Sequence, residues 1–172
     1  MSQITRDELI IKIKNSENLS GLDLSGIDLS NANLFSAKLP EATLNNCNLT
    51  DVNFRESDLI DSLFDSAQMS RIDLRDCNMK NCRINQGFLR GADFRRANLE
   101  GAKITNCDLR RANLMGANLT NVDFSGSNLY RADFQASKLI NTDFQNALVD
   151  GAYFTETDVS GAIFPEGFVP LK

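Results

Sequence analysis

The 172-residue sequence contains no histidine, no tryptophan and only three prolines. Without histidine there is no Ser-His-Asp triad, no Cys-His pair and no catalytic zinc site of the usual ligand set. The scarcity of proline leaves little to interrupt a regular backbone. No apolar run approaches the roughly 18 residues that a membrane-spanning helix needs. Four cysteines are too few for a disulfide framework in a chain of this length. An excess of positive charge is also missing. Eighteen Lys and Arg face 23 Asp and Glu, for a net charge of −5. That balance argues against direct nucleic-acid or bilayer binding unless a local basic patch overrides it. Asp7 and Glu8 stand early and no apolar core with a cleavage site follows them, so no signal peptide is expected and a cytoplasmic, reducing location is.

What the sequence has is a period. From Leu19 to Phe164 every fifth residue is apolar, thirty positions without a miss, for example Leu24, Leu29, Leu34 and later Phe134, Leu139, Phe144. Neither a helix nor a strand has period five, so the chain must turn once per unit. Two residues before each anchor the side chain is usually small, as at Ala32, Ala37, Ala92, Ala97 and Ala112. Leu22, Ile27, Val52, Ile72, Gly87 and Val122 are exceptions. Asp or Asn often precedes the anchor, and Gly, Asn or a charged residue often lies two after it.

One large and one small inward residue per side fill a narrow tube when like stacks on like. The remaining positions face solvent, where Asp and Asn can bond to nearby backbone at turns. Cys47, Cys77, Cys82 and Cys107 all occupy the small inward slot, which reads as buried thiol packing. The glycines follow the repeat rather than a G-x-G-x-x-G phosphate loop. No metal or cofactor site and no catalytic group is expected, and a filled tube offers no central cleft to an enzyme.

The unit Ala92-Asp93-Phe94-Arg95-Arg96, with its echo Ala112-Asn113-Leu114-Met115-Gly116, resembles the pentapeptide-repeat family. The resemblance covers about residues 17–166 and is closest in style to compact, single-domain members of cyanobacterial type. It implies an all-β fold, a right-handed quadrilateral β-helix (a pentapeptide-repeat solenoid) with a short N-terminal capping helix. Four units per coil give about 7.5 coils and, at about 4.8 Å per coil, a rod about 36 Å long. The chain is then a single domain over 1–172. Its parts are an N-terminal cap over 1–16, the β-helix over 17–166 and a C-terminal tail over 167–172.

The ends need covers, because a repeat tube is open at both. Thr5 and Glu8 have capping-box spacing, with Ile4 and Leu9 placed as a hydrophobic staple, which predicts a helix over about 6–14. At the other end Phe168, Val169 and Leu171 either fold over the last coil or contact a twin molecule. In the family's topoisomerase-binding members dimerisation through this end is known. A monomer is expected ahead of such a homodimer.

Charge is unevenly placed. Residues 71–111 hold ten Lys and Arg against five Asp and Glu, whereas residues 41–70 hold one against six. From 112 onward three bases face seven acids. With the family's coil of four units, Arg55, Arg75 and Arg95 stack on one side, and Arg90 and Arg110, followed by Tyr130, on the next. Arg71, Arg96, Arg111 and Arg131 lie close to these columns. The plain reading of this belt is a solvated face whose charges are offset by neighbours such as Asp73 and Asp76. The functional reading is a protein-docking or anion-recognising patch, because arginine forks suit carboxylate and phosphate. Phe88 follows Gly87 and is expected either to lean over the gap that glycine leaves or to anchor a partner.

The leading expectation is a non-enzymatic protein-binding or scaffolding rod. The alternative comes from the family's best-understood members, which bind DNA gyrase and in some cases protect it from quinolones. It is a DNA-mimicking modulator of gyrase or another topoisomerase. The net acidity favours that alternative; the basic belt and the unbroken period count against it.

Overall fold

The computed structural model describes residues 4–170. α1 spans Arg6–Lys14 and starts on the expected capping box: Glu8 N–H donates to Thr5 Oγ1, and Thr5 N–H donates to the Glu8 carboxylate at 2.8 Å. Leu9 and Ile13 are buried against the core, and Ile4 and Ile10 pack beside them. The Arg6 guanidinium donates to the Ser30 carbonyl at 3.0 Å and so ties the helix to the repeat.

Beyond the helix the chain winds in coils of four units. Each residue before an anchor bridges in parallel to its equivalent four units on, from Asn18↔Lys38 to Asp143↔Ile163. Leu24 N–H donates to the Thr43 carbonyl at 2.8 Å, Gly26 N–H to Asn45 at 2.9 Å, and Asn48 N–H returns to Ile27 at 3.1 Å. The layers therefore form a continuous solenoid. The anchors from Leu24 to Phe154 are buried and stack from layer to layer. In the last coils every second anchor is aromatic: Phe124 and Phe144 stack at 5.4 Å, Phe144 and Phe164 at 5.0 Å, and Phe134 and Phe154 at 5.0 Å. Phe168 packs against Phe154 and Phe164 at the end of this column, while Val169 is exposed. Leu171, assigned with them from the sequence, lies outside the described residues.

Each corner is a tight turn. The anchor carbonyl accepts from the N–H three residues on, as Leu29 does from Ala32 at 2.9 Å. The residue two after the anchor has positive φ, for example Asn31 at 58°, Asp51 at 58° and Arg111 at 60°. Asp or Asn before the anchor accepts from the backbone two residues on, as Asp28 does from Ser30 N–H at 2.9 Å.

Between Leu24 and Val149 two corners depart from this, and they coincide with β1 (Arg83–Asn85) and β2 (Lys103–Thr105), which pair in parallel. After Ile84 the turn bond is replaced by a thiol. Cys107 Sγ lies 3.3 Å from the Ile84 carbonyl and accepts from Gly87 N–H at 3.3 Å. After Ile104 the hydroxyl of Ser127 does the same, donating to the Ile104 carbonyl at 2.8 Å and accepting from Cys107 N–H at 3.0 Å. A side chain from the next layer thus bridges each opened turn. All four cysteines are free, buried thiols. Burial pushes Cys47 up to about 11 and Cys77 and Cys107 up to about 12, and raises Cys82 as well.

The sequence expectation for Gly87 needs correction. No gap waits for Phe88, because a Cβ at Gly87 would meet Ile84 Cγ2 at 2.7 Å. The methyl of the β-branched anchor already fills that volume, and Phe88 is left 55% exposed.

Candidate functional site

The arginine belt divides once partners are assigned. On the side carrying anchors Leu74 and Phe94, the Arg75 guanidinium donates to both oxygens of Asp73, at 2.8 and 2.5 Å, and Arg95 does the same with Asp93, its Nη2 at 2.6 Å. On the next side Arg110 grips Asp108 at 2.7 and 2.6 Å. These pairs share one rule, an Asp two residues before the Arg. Other arginines take an Asp one layer earlier in the turn column: Arg71 binds Asp51 at 2.8 and 2.5 Å, and Arg96 binds Asp76 at 2.7 and 2.8 Å. Arg83 pairs with Asp65 and Lys80 with Glu100. Arg55 lies 3.3 Å from Glu56, and its buried Nε faces Asp76 at 3.4 Å without hydrogen-bond geometry. The Arg131 guanidinium sits 5.1 Å from the centre of the Tyr130 ring.

The electrostatics follow the pairing. Hydrogen bonds from Arg75, Arg96 and Arg110 hold Asp73, Asp76 and Asp108 below the usual carboxylate range. The guanidinium of Arg75 is raised in turn, first by its hydrogen bond to Asp73. Most of the belt is therefore neutralised in place.

Among the described residues, only two arginines between 55 and 111 have no acid within ion-pair distance, Arg90 and Arg111. Both rules fail at one coil. Two residues before Arg90 stands Phe88, where Arg75, Arg95 and Arg110 have Asp. One layer before Arg111 stands Gly91, where Arg71 and Arg96 have Asp. Phe88 and Gly91 flank the same anchor, Leu89. The consequence is a surface cleft of about 430 Å³ lined by Ser70, Arg71, Arg90, Gly91 and Arg111. A second dimple, of about 330 Å³, adjoins it through Ser70 and is lined by Thr50, Gln68 and Phe88.

Of the sequence-assigned residues, the structure brings Arg71, Arg90 and Arg111 together, with Phe88 beside them. It places Arg55, Arg75, Arg95 and Arg96 in a self-paired cluster one side away. Arg110 belongs to the cleft's side but is spent on Asp108. Gly91 and Ser70 were not singled out by the sequence reading. The signal of Gly91 was the missing acid in the turn column below Arg111, visible only when the chain is written in rows of four units. No group of three or more potential metal ligands occurs among the described residues. No helix there is long and apolar enough to cross a membrane.

Comparison with known proteins places these features. A family model for pentapeptide repeats matches residues 92–129 and 127–164, and one for a pentapeptide repeat region matches residues 18–94. No curated protein matches the sequence. Among solved structures, HetL, a pentapeptide repeat protein involved in heterocyst differentiation regulation from the cyanobacterium Nostoc sp. strain PCC 7120, aligns with TM-score 0.53 and 22% identity, over 96% of this chain and 99% of HetL. The pentapeptide repeat protein alr5209 from Nostoc PCC 7120 aligns with TM-score 0.40 and 21% identity, over 98% of this chain and 93% of its own. Full-length QnrB1, a plasmid-mediated fluoroquinolone resistance protein, aligns with TM-score 0.40 and 20% identity, over 95% of this chain and 89% of QnrB1. The likeness to HetL is one of fold.

Proposed function

This chain belongs to the pentapeptide-repeat family, and from that premise we propose that it is a non-enzymatic rod that docks a protein partner through the side bearing Phe88, Arg90 and Arg111. The observation that carries this is the adjacency of a 55% exposed aromatic ring to two arginines without acid partners, on a backbone fixed by layer-to-layer hydrogen bonds. Aromatic and arginine side chains dominate the binding energy of protein interfaces. A rigid ladder reduces the ordering cost of presenting them. Under this reading the tube is a right-handed quadrilateral β-helix over 17–166, between a cap over 1–16 and a tail over 167–172. It works in the cytoplasm, as a monomer, without a cofactor or catalytic group.

The test is affinity capture with three baits: wild type, Phe88→Ala/Arg90→Ala/Arg111→Ala, and Arg75→Ala/Arg95→Ala. A partner held by wild type and by the Arg75/Arg95 variant, but lost with the Phe88 variant, supports the reading. Equal loss with both variants would assign binding to the belt's general charge and overturn it.

A second reading rests on the acidic stretches at 41–70 and from 112 onward, which flank the belt. In it the rod mimics duplex DNA and modulates gyrase or a related topoisomerase. Inhibition of supercoiling by the purified protein, retained when Phe88, Arg90 and Arg111 are all changed to Ala, would favour this reading over the first.

A further inference from the structure

We propose that the cleft over Gly91 is a binding site for a phosphate-type oxyanion, held by Arg71, Arg90 and Arg111. Arg71, Arg90 and Arg111, with Ser70, line one concave volume of about 430 Å³, and two of the three arginines lack any acid within ion-pair distance among the described residues. Asp108 feels the charge of Arg90 through space, but both of its oxygens are held by Arg110. The room comes from Gly91. Its turn position has a φ of +67°, and a Cβ there would meet only Arg71 Cγ, at 3.8 Å. The same column accepts Asp51, Arg71, Arg111 and Arg131 in the same backbone conformation, so the backbone does not require glycine here. What glycine supplies is an open floor between the arginine of the layer below and that of the layer above.

The number of forks selects the ligand. Elsewhere in this molecule one carboxylate takes one bidentate fork, as Asp108 does from Arg110, with at most one further arginine within ion-pair distance, as at Asp76 and Asp93. Two unpaired forks and the remaining N–H groups of Arg71, carried on three successive layers, offer more donors than the roughly four lone-pair sites of a planar carboxylate. They match a tetrahedral group with at least three acceptor oxygens and a charge near −2. Arg71 already gives Nε and Nη2 to Asp51, which fixes the guanidinium and leaves its Nη1 hydrogens as donors. The phosphate is either free or a monoester. For a monoester the neighbouring dimple under Phe88 offers a place for the organic group.

The site does not depend on protein docking, and the two are separable: partner capture with no phosphate binding sinks this inference alone. The experiment is a titration of the ¹⁵N-labelled full chain with inorganic phosphate at constant ionic strength, followed by amide shifts. Parallel titrations use phenyl phosphate and acetate. Expected are saturable shifts at Arg90, Gly91 and Arg111 with phosphate and none at matched acetate. Arg111→Gln should weaken binding at least tenfold, and Gly91→Asp, which restores the missing acid, should abolish it. Arg95→Gln should leave it unchanged. Asp51 and Asp76 hold the same turn conformation, so Gly91→Asp should keep the wild-type melting temperature; Arg111→Gln tests the site without touching that backbone. Tighter binding of phenyl phosphate, lost in Phe88→Ala, identifies a monoester; equal binding identifies free phosphate. Non-saturating shifts spread over all the arginines, or identical shifts with acetate, would overturn the proposal.

Discussion

Two adjacent sides of one tube carry arginines in the same register, and only one of them keeps its charge available. Arg75 and Arg95 rise from the Leu74–Phe94 side and fold back onto Asp73 and Asp93. Arg90 rises one corner earlier in the same coil as Arg95 and finds Phe88 where its acid would be. The solenoid treats both alike, because anchor, turn and interlayer bonds are the same. The difference lies in two outward positions that contribute nothing to the core. In a repeat fold, chemistry is written in the columns that packing ignores, and a column is read by asking which expected residue is missing.

The largest effect is expected at the support beneath the cleft. Leu89 is fully buried directly between Phe88 and Arg90. Leu89→Ala should cost about 2–5 kcal/mol, measured by urea unfolding. It should also broaden the amides of the cleft more than those of the Arg75–Arg95 side. If both sides respond equally, the coil moves as one unit. A smaller loss is expected from Gly87→Ala. Its Cβ meets Ile84 Cγ2 at 2.7 Å and crowds the thiol-bridged turn. The expected cost is about 1–3 kcal/mol, seen as a lower melting temperature; no change would mean that the Ile84 corner has slack.

Acid should set the paired arginines apart from the unpaired ones. Asp73, Asp76 and Asp108 have folded-state values depressed by hydrogen bonds from their arginines. Their stabilisation is therefore present above the unfolded-state value of about 4 and is lost as pH falls through the folded values. Each pair is partly exposed, so its share is about 1 kcal/mol or less. Melting curves from neutral to strongly acidic pH should show a steeper acid loss in wild type than in Asp73→Asn/Asp108→Asn. The smallest effect on stability is expected from Phe88→Asp. That change recreates the Asp-x-Arg spacing for Arg90 and should alter the melting temperature little. It should nonetheless place an ion pair across the cleft, visible in an NMR titration as a lowered value for the new carboxylate.

Much of the tube was legible in the period of five, since no helix or strand has that period and every anchor from Leu24 to Phe154 is indeed buried. The helix over 6–14 followed from Thr5 and Glu8 in the same way. The coil length was not in the anchors, because a repeat of five closes equally well on paper with any number of sides. It came from the family resemblance and now stands on the bridges between equivalent residues four units apart. The candidate site was half legible. Counting charge along the chain placed the belt, yet it merged arginines bound to Asp with arginines that are not, since the deciding neighbour of Arg111 lies a whole coil away in sequence. The opened corners at Ile84 and Ile104 were hidden for a similar reason: their bridging groups, Cys107 and Ser127, belong to the following layer. Gly87 misled because the volume it vacates is filled by the anchor of the preceding unit.

The buried thiols have a kinetic use. Cys47, Cys77, Cys82 and Cys107 are spread over three coils of the tube, from near its helical end to its middle, each buried and each held in its unreactive protonated form at neutral pH. An alkylating reagent can reach one only when its own layer opens. The order in which the four are modified, read by mass spectrometry over time, is therefore a clock of unwinding. Cys47 labelled first means that the solenoid frays from its helical end; Cys107 first means that it peels from the phenylalanine column; all four together mean that the layers part as one.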